Sequence, residues 1–283
     1  MINSLYTGEK MKVKIKNNSF SDEWELTKLN VFVGSNLSGK SGILNCIYLS
    51  ADANKRYSFI GYSIPLGQCE IEDASFDYAI YVDVHMATDI IYEGTDSLSF
   101  LNDIRNLVTD EEINESRTVI EKLLTELREK LTSLNLEDEA DYLEPLRVFP
   151  TKNELVWKDF TGTSEKGVYH LSMAFYNALI VTLMQYVYAL SKKYKVLLIL
   201  DEPETFAHPS FAFFLGKLIN TLTLQSNNLT TICATHSWDF LQGIKNGAKV
   251  KVIKRKKDGK VEVNDWNGEV YIPGFGVTGM LSD

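Results

Sequence analysis

The spacing of apolar residues changes from segment to segment along this chain, and each change predicts an element. Met11, Val13 and Ile15 alternate with Lys12, Lys14 and Lys16, a period of two that predicts a strand. A second strand is predicted from Trp24 to Val33, running straight into Gly34, with a helix following from about Gly39 to Leu49. Residues 57–86 hold three β-rich runs, YSFIGYSI, CEIEDASF and YAIYVDVHM, with turn-prone Pro, Gly and Asp between them. They predict antiparallel strands.

The segment 109–139 has a helical period. Thr109-Asp110-Glu111-Glu112 fits a capping box, with Thr109 as the cap and Glu112 reaching back. Ile113, Ile120, Leu127 and Leu134 recur every seventh position, and Leu123 and Leu124 widen the stripe. The pattern predicts an amphipathic helix or helical pair. Such a stripe either packs on its own domain or faces a partner. Strands are predicted at LRVF and ELVWKDF, before the apolar run 171–190. That run approaches the length of a bilayer span. Ser172, Asn177, Thr182 and Gln185 interrupt it, so it is expected to be a buried core helix. Then come VLLIL, a helix from Pro209 to about Leu222, TTICAT, a short helix after His236, and a hairpin. Its arms are KVKVIKRK and VEVNDW, and its turn is Lys257-Asp258-Gly259-Lys260.

With 283 residues the chain is long enough for one large α/β domain or two small ones. A net charge of -9 argues against passive coating of nucleic acid. Two lysine-rich stretches (Lys12, Lys14 and Lys16; Lys249, Lys251, Lys254, Arg255, Lys256 and Lys257) could still touch DNA or RNA, although a solvated surface is the plainer reading. Three cysteines are too few and too scattered for a disulfide framework or a zinc site. The N-terminal MINSLYTGEKMKVKIK lacks an apolar signal-peptide core, so a cytoplasmic location is the expectation.

The chemistry concentrates at three strand ends. Gly34-Ser35-Asn36-Leu37-Ser38-Gly39-Lys40-Ser41 matches the phosphate-binding loop pattern, with an apolar strand before it and a helical stretch after it. In such a loop backbone N–H groups converge on phosphate oxygens at a helix N-terminus. Lys40 is expected to reach the β- and γ-phosphates of a nucleotide, and the Ser41 hydroxyl to hold Mg2+. The run VLLIL ends in Asp201-Glu202. An acidic pair there should face a cation or solvent. Asp201 is read as holding the Mg2+ shell, and Glu202 as orienting or deprotonating the attacking water. TTICAT ends in His236, read as a contact to the γ-phosphate, since open α/β sheets bind ligands beyond the C-terminal ends of their strands. His85, His170 and His208 lack that placement and are read as structural. No N-K-x-D guanine motif occurs, the nearest stretch being Asn54-Lys55-Arg56-Tyr57, so GTP is disfavoured.

GSNLSGKS, LLILDEPETFAHP and ATHS together resemble ATP-binding-cassette (ABC) ATPases of the non-transporter branch. The resemblance is nearest to OLD-family and AAA-like ATP-binding proteins, relatives of structural-maintenance-of-chromosomes (SMC) and recombination ATPases, and covers about residues 10–260. It implies an α/β P-loop NTPase of ABC-ATPase type, with a mostly parallel core sheet, an antiparallel β lobe and a helical insertion. The implied division is a single domain over 1–283. Residues 1–90 would hold the β lobe and phosphate loop, and 100–145 the helical insertion. Residues 146–283 would hold the signature helix, the acidic strand and the histidine, closing on the hairpin. ATP and Mg2+ are the implied cofactors, and hydrolysis the implied activity. The family pairs its heads head to tail, so a homodimer or higher homo-oligomer is expected, each site borrowing a signature motif from the other copy.

That motif departs from the family pattern here. Leu171-Ser172-Met173-Ala174-Phe175 lacks the expected glycine, which puts rapid turnover in doubt more than binding. Ser172 remains the candidate for the partner's γ-phosphate. Gln68, the only glutamine between the phosphate loop and the signature, is the default for the glutamine that senses Mg2+. Phe20 or Trp24 could stack on adenine or serve the core. OLD nucleases carry a second nuclease domain that is not found here, so an ATPase head acting on a separate nuclease or toxin, without a membrane, is expected. A non-hydrolysing ATP-binding scaffold and a transporter ATPase subunit are the alternatives.

Overall fold

A strand that is apolar at every position is stable only where both its faces are covered. Val196–Asp201 meets that condition, every residue being buried within a seven-stranded sheet. This computed structural model describes residues 11–17, 20–57, 68–72, 74–83, 99–134, 148–150, 155–158, 165–167, 174–257 and 259–266. Its elements in order are β1 (Met11–Asn17), β2 (Phe20–Leu26), β3 (Leu29–Val33), α1 (Lys40–Ser50), β4 (Asn54–Tyr57), β5 (Gln68–Glu72), β6 (Tyr78–Val82), α2 (Ser99–Arg105), α3 (Asp110–Ser133), β7 (Val148–Pro150), β8 (Leu155–Lys158), β9 (Glu165–Gly167), α4 (Ala174–Leu190), β10 (Val196–Asp201), α5 (Pro209–Gln225), β11 (Leu229–Thr235), α6 (Trp238–Ile244), β12 (Lys249–Arg255) and β13 (Val261–Asp265).

The main sheet runs β13-β12-β3-β11-β10-β6-β4, parallel except for the β12–β13 hairpin. Two smaller antiparallel sheets, β2-β1-β5 and β7-β8-β9, accompany it. This is the mixed α/β architecture expected, with a mostly parallel sheet and an antiparallel lobe. Alternation along β10 sorts its side chains between two cores. Leu198 and Leu200 join α2, α3, α4, α5 and α6 on one face, while Leu197 and Ile199 join α1 and residues of the β1–β2 lobe on the other.

Two strand expectations change. Residues 24–33 do not form one strand. Thr27 and Lys28 break the run, and the buried Asn30 side chain holds the break by accepting from Thr27 N–H (2.9 Å) and donating to its carbonyl (2.6 Å). β2 then pairs with β1, and β3 enters the main sheet. Nor do residues 57–86 form an antiparallel set. β5 pairs antiparallel with β1, but β6 lies parallel between β10 and β4. Short apolar runs such as YAIYV suit either arrangement, so their period cannot choose. The residues between β4 and β5 lie outside those described.

The 109–139 reading resolves in favour of self-packing. Thr109 caps α3 with the full capping box, the Glu112 carboxylate accepting from Thr109 N–H at 2.8 Å. Ile113, Ile120, Leu123 and Leu127 are buried in the core that contains α4, whereas Leu134 is 58% exposed. Lys193–Glu112 (2.8 Å) and Lys192–Glu115 (3.5 Å) tie α3 to the turn after α4. Every residue from 179 to 190 is buried, as a core helix requires. Among the described residues no helix is long and apolar enough to cross a membrane.

Three of the residues on the lysine-rich faces are paired with acids. Lys14 stands opposite Glu23 and Glu70 and bonds Glu72 at 2.7 Å. Lys251 pairs with Asp265 (2.7 Å) and Lys256 with Glu262 (2.5 Å).

Candidate functional site

The C-terminal ends of β3, β10, β11 and β6 meet at one edge of the main sheet, because these strands are parallel neighbours in the order β3-β11-β10-β6. From β3 the chain turns through residues 34–39 into α1. Gly34 is needed for close approach, since a Cβ there would stand 2.4 Å from the Ile253 carbonyl oxygen on β12. Gly39 is needed for its backbone, which is left-handed at φ 108°. It is the N-cap of α1 and offers no side-chain cap, so the first N–H groups of the helix lack a side-chain acceptor. That is the arrangement in which a helix end accepts an anion. Leu37 takes φ 65° and is 89% exposed at the loop tip, Asn36 is exposed, and Ser38 is buried. Lys40 is buried and curls back, its Nζ donating to the carbonyls of Gly34 (3.0 Å) and Ser35 (3.2 Å). Burial lowers its pKa, opposed by the charges of Glu202, Asp201 and Glu204.

Along β10 the alternation that sends Leu197 and Ile199 toward α1 sends Asp201 the same way. Asp201 is buried, and its Oδ2 accepts from the Tyr81 hydroxyl at 3.3 Å. Burial pushes its pKa up to about 6, a hydrogen bond from Ser41 pulls it down, and the charges of Glu202 and Asp83 push it up again. Its Oδ1 is buried without a hydrogen-bond partner. A buried carboxylate oxygen beside a serine hydroxyl at an uncapped helix end suits a hard cation such as Mg2+, which takes one or two protein oxygens and fills its shell with water and phosphate. Among the described residues no group of three or more His, Cys, Asp or Glu could hold a metal.

Glu202 follows in a left-handed conformation (φ 54°), its N–H donating to the Ala234 carbonyl at 2.9 Å. The turn carries the carboxylate across to β11, where Oε1 lies 3.0 Å from His236 Nδ1. The His236 hydrogen bond holds the Glu202 carboxyl below its ordinary range, against burial, and the same bond raises the His236 pKa. Lys40, Ser41, Asp201, Glu202 and His236 are thus brought to one edge, each from a different position in sequence.

Ser172 and Met173 fall outside the described residues, as do His85 and His170. Gln68 opens β5 in the three-stranded sheet, and the strand next to Asp201 is β6, which is followed by Asp83. Trp24 is buried with its ring edge-on to Phe32 (6.2 Å between centroids), so it serves the core. His208 is the N-cap of α5. Asp83 escaped the sequence reading, and Glu204 and Thr235 entered it only as members of motifs, without a role of their own. Asp83 directly follows β6, much as Asp201 ends β10, and YAIYVD repeats the pattern of VLLILD in weaker form. Glu204 and Thr235 are both buried and bonded to each other, the hydroxyl donating to Glu204 Oε1 at 2.5 Å. No local pattern announces that bond, because 31 residues separate its ends.

No protein-family model matches the chain, and no curated protein sequence does either. Solved structures do. The SMC head domain from Thermotoga maritima superposes with a TM-score of 0.50 at 12% identity, covering 91% of this chain and 98% of that one. The Smc head domain with an extended coiled coil bound to the C-terminal domain of ScpA, from Pyrococcus furiosus, does so with a TM-score of 0.50 at 13% identity, covering 91% and 96%. The chain therefore has the fold of ABC-type P-loop ATPase heads of the SMC kind.

Proposed function

We propose that the chain binds ATP with Mg2+, hydrolyses it slowly, and uses ATP-driven head-to-tail pairing of two copies to control a separate effector protein. The observation that supports this most is the uncapped start of α1, where Ser41 hydrogen-bonds the buried Asp201 carboxyl, whose Oδ1 has no hydrogen-bond partner. The α1 N–H groups and Lys40 would take the β- and γ-phosphates, Lys40 leaving the two loop carbonyls it now bonds. Ser41 and Asp201 would hold Mg2+, which when bound neutralises phosphate charge. Glu202, ionised at neutral pH, would accept the proton of the water that displaces ADP. His236 uses Nδ1 for Glu202, which leaves Nε2 to donate to a γ-phosphate oxygen.

A nuclease or toxin in DNA repair or antiviral defence, on the OLD-family pattern, is the effector class we favour. The Pyrococcus furiosus head is seen bound to a separate protein, which supports partner control as a role for this fold. A second reading, a non-hydrolysing ATP-binding scaffold, is favoured by Met173 and Ala174 where the signature needs glycine.

Steady-state ATP hydrolysis separates the two, with Glu202→Gln as the blank. Mixing two inactive variants tests the shared site. Lys40→Ala ruins the half that a chain supplies to its own site, and Ser172→Arg the half it lends. Mixed dimers then contain one site with intact Lys40 and Ser172, so activity returns on mixing. No recovery after proven subunit exchange argues against a shared site, and an active Ser172→Arg variant rejects it.

A further inference from the structure

Glu202 and His236 face each other across two neighbouring turns, and the turn of Glu202 is not relaxed. The loop after β10 holds two non-glycine residues in the left-handed region, Glu202 (φ 54°) and Phe206 (φ 66°). Such conformations persist only where the surroundings over-determine them. Three bonds tie this loop to the end of β11. Glu202 N–H donates to the Ala234 carbonyl, Glu202 Oε1 meets His236 Nδ1, and Glu204 Oε1 accepts from the Thr235 hydroxyl at 2.5 Å. The third is the most deeply buried, Thr235 being 0% and Glu204 5% exposed. The Thr235 oxygen also accepts from Ser237 N–H at 2.9 Å, and the Ser237 hydroxyl caps α6 by accepting from Phe240 N–H. A chain of hydrogen bonds thus runs from Glu204 through Thr235 to Ser237. His236 is the one residue between Thr235 and Ser237, and both of its neighbours are held from below.

We infer that Glu204 and Thr235 are a positioning pair: their buried hydrogen bond clamps the turn of Glu202 onto the turn of His236 and so sets the contact between those two side chains. Glu204 reaches neither phosphate nor water in this role. It acts through Thr235. Burial raises its pKa to about 7, and its service is as an acceptor at a fixed place. The inference deepens the ATPase reading by naming what holds the base and the histidine together, but the clamp itself is present without nucleotide.

The test is therefore made first on the nucleotide-free protein. The charged groups acting on His236 are Glu202, Glu204 and Lys40. Thr235→Val keeps all three and deletes only the hydroxyl, while Thr235→Ser restores it. NMR titration of His236 should show a raised pKa in the parent and in Thr235→Ser. In Thr235→Val it should fall toward the ordinary histidine value of about 6.5. An unchanged titration in Thr235→Val, or an equal fall in Thr235→Ser, overturns the clamp. Should Thr235→Val not fold, Glu204→Gln keeps an acceptor oxygen for Thr235 and Glu204→Ala does not. The inference then requires a lower His236 pKa in Ala than in Gln, and equal values reject it. With ATP, Thr235→Val should lower kcat by about tenfold or more with KM within about twofold, and Thr235→Ser should recover it. An inactive parent protein would sink the ATPase reading and leave the NMR result to judge the clamp.

Discussion

A Cβ placed on Gly34 would stand 2.4 Å from the carbonyl oxygen of Ile253, so the phosphate loop leaves β3 pressed against the backbone of β12. The partner is main chain inside a sheet and cannot swing aside. Gly34→Ala is expected to cost about 1–3 kcal/mol through overpacking. At about 2–4 °C per kcal/mol for a chain of this order, calorimetry should show a drop of several degrees. A midpoint within a degree of the parent would mean that β12 yields.

Lys40→Ala should weaken ATP binding by about 10- to 100-fold, the worth of a charge-assisted hydrogen bond to phosphate. Titration calorimetry at constant salt checks this. An affinity within twofold of the parent would remove Lys40 from the phosphate site.

Glu202→Gln keeps the shape of the side chain and loses its basicity. ATP affinity should change little, while hydrolysis falls by about 10²-fold or more. The ATP-bound dimer should live longer, read by size-exclusion chromatography with nucleotide. Hydrolysis at the parental rate would show that another group takes the proton.

The nucleotide-free protein should be more stable near pH 6 than near pH 8. Burial raises Glu204 to about 7 and Asp201 to about 6, and the Glu202 bond raises His236. A raised folded-state pKa means the folded chain binds more protons than the unfolded one, so these groups favour folding as pH falls through their folded pKa values. For His236 that contribution is complete below its unfolded pKa and lost as pH rises through the folded one. Glu202 is depressed and has the opposite sign, its contribution being lost only as pH falls through its folded pKa, below the 4.5 of a free glutamate. Glu204 alone is worth on the order of 1 kcal/mol between pH 8 and pH 6. Chemical denaturation at the two pH values measures it, and a higher stability at pH 8 would contradict the burial of these carboxyls.

Much of the site could be read from residue order. GSNLSGKS lies between an apolar strand and a helix, VLLIL ends in Asp201-Glu202, and TTICAT ends in His236. These are local signals: a glycine loop, a period and a strand end are each complete within about ten residues. The capping box of α3 is another, with Thr109 and Glu112 three residues apart and bonded both ways. Neighbours distant in sequence decided the rest. YAIYV could have paired in either direction, and its parallel place beside β10 brings Asp83 to the end of the strand next to that of Asp201. The stripe of α3 could have faced a partner, and α4 covers it. Glu204 belongs to the LLILDEPETFAHP motif, but its role appears only where Thr235 on β11 donates to it. Period and propensity report which residues want to leave water. They do not report which of many apolar or polar surfaces will meet them, because that depends on the order of strands in a sheet whose paired neighbours include Asn30 and Lys249, from opposite ends of the chain.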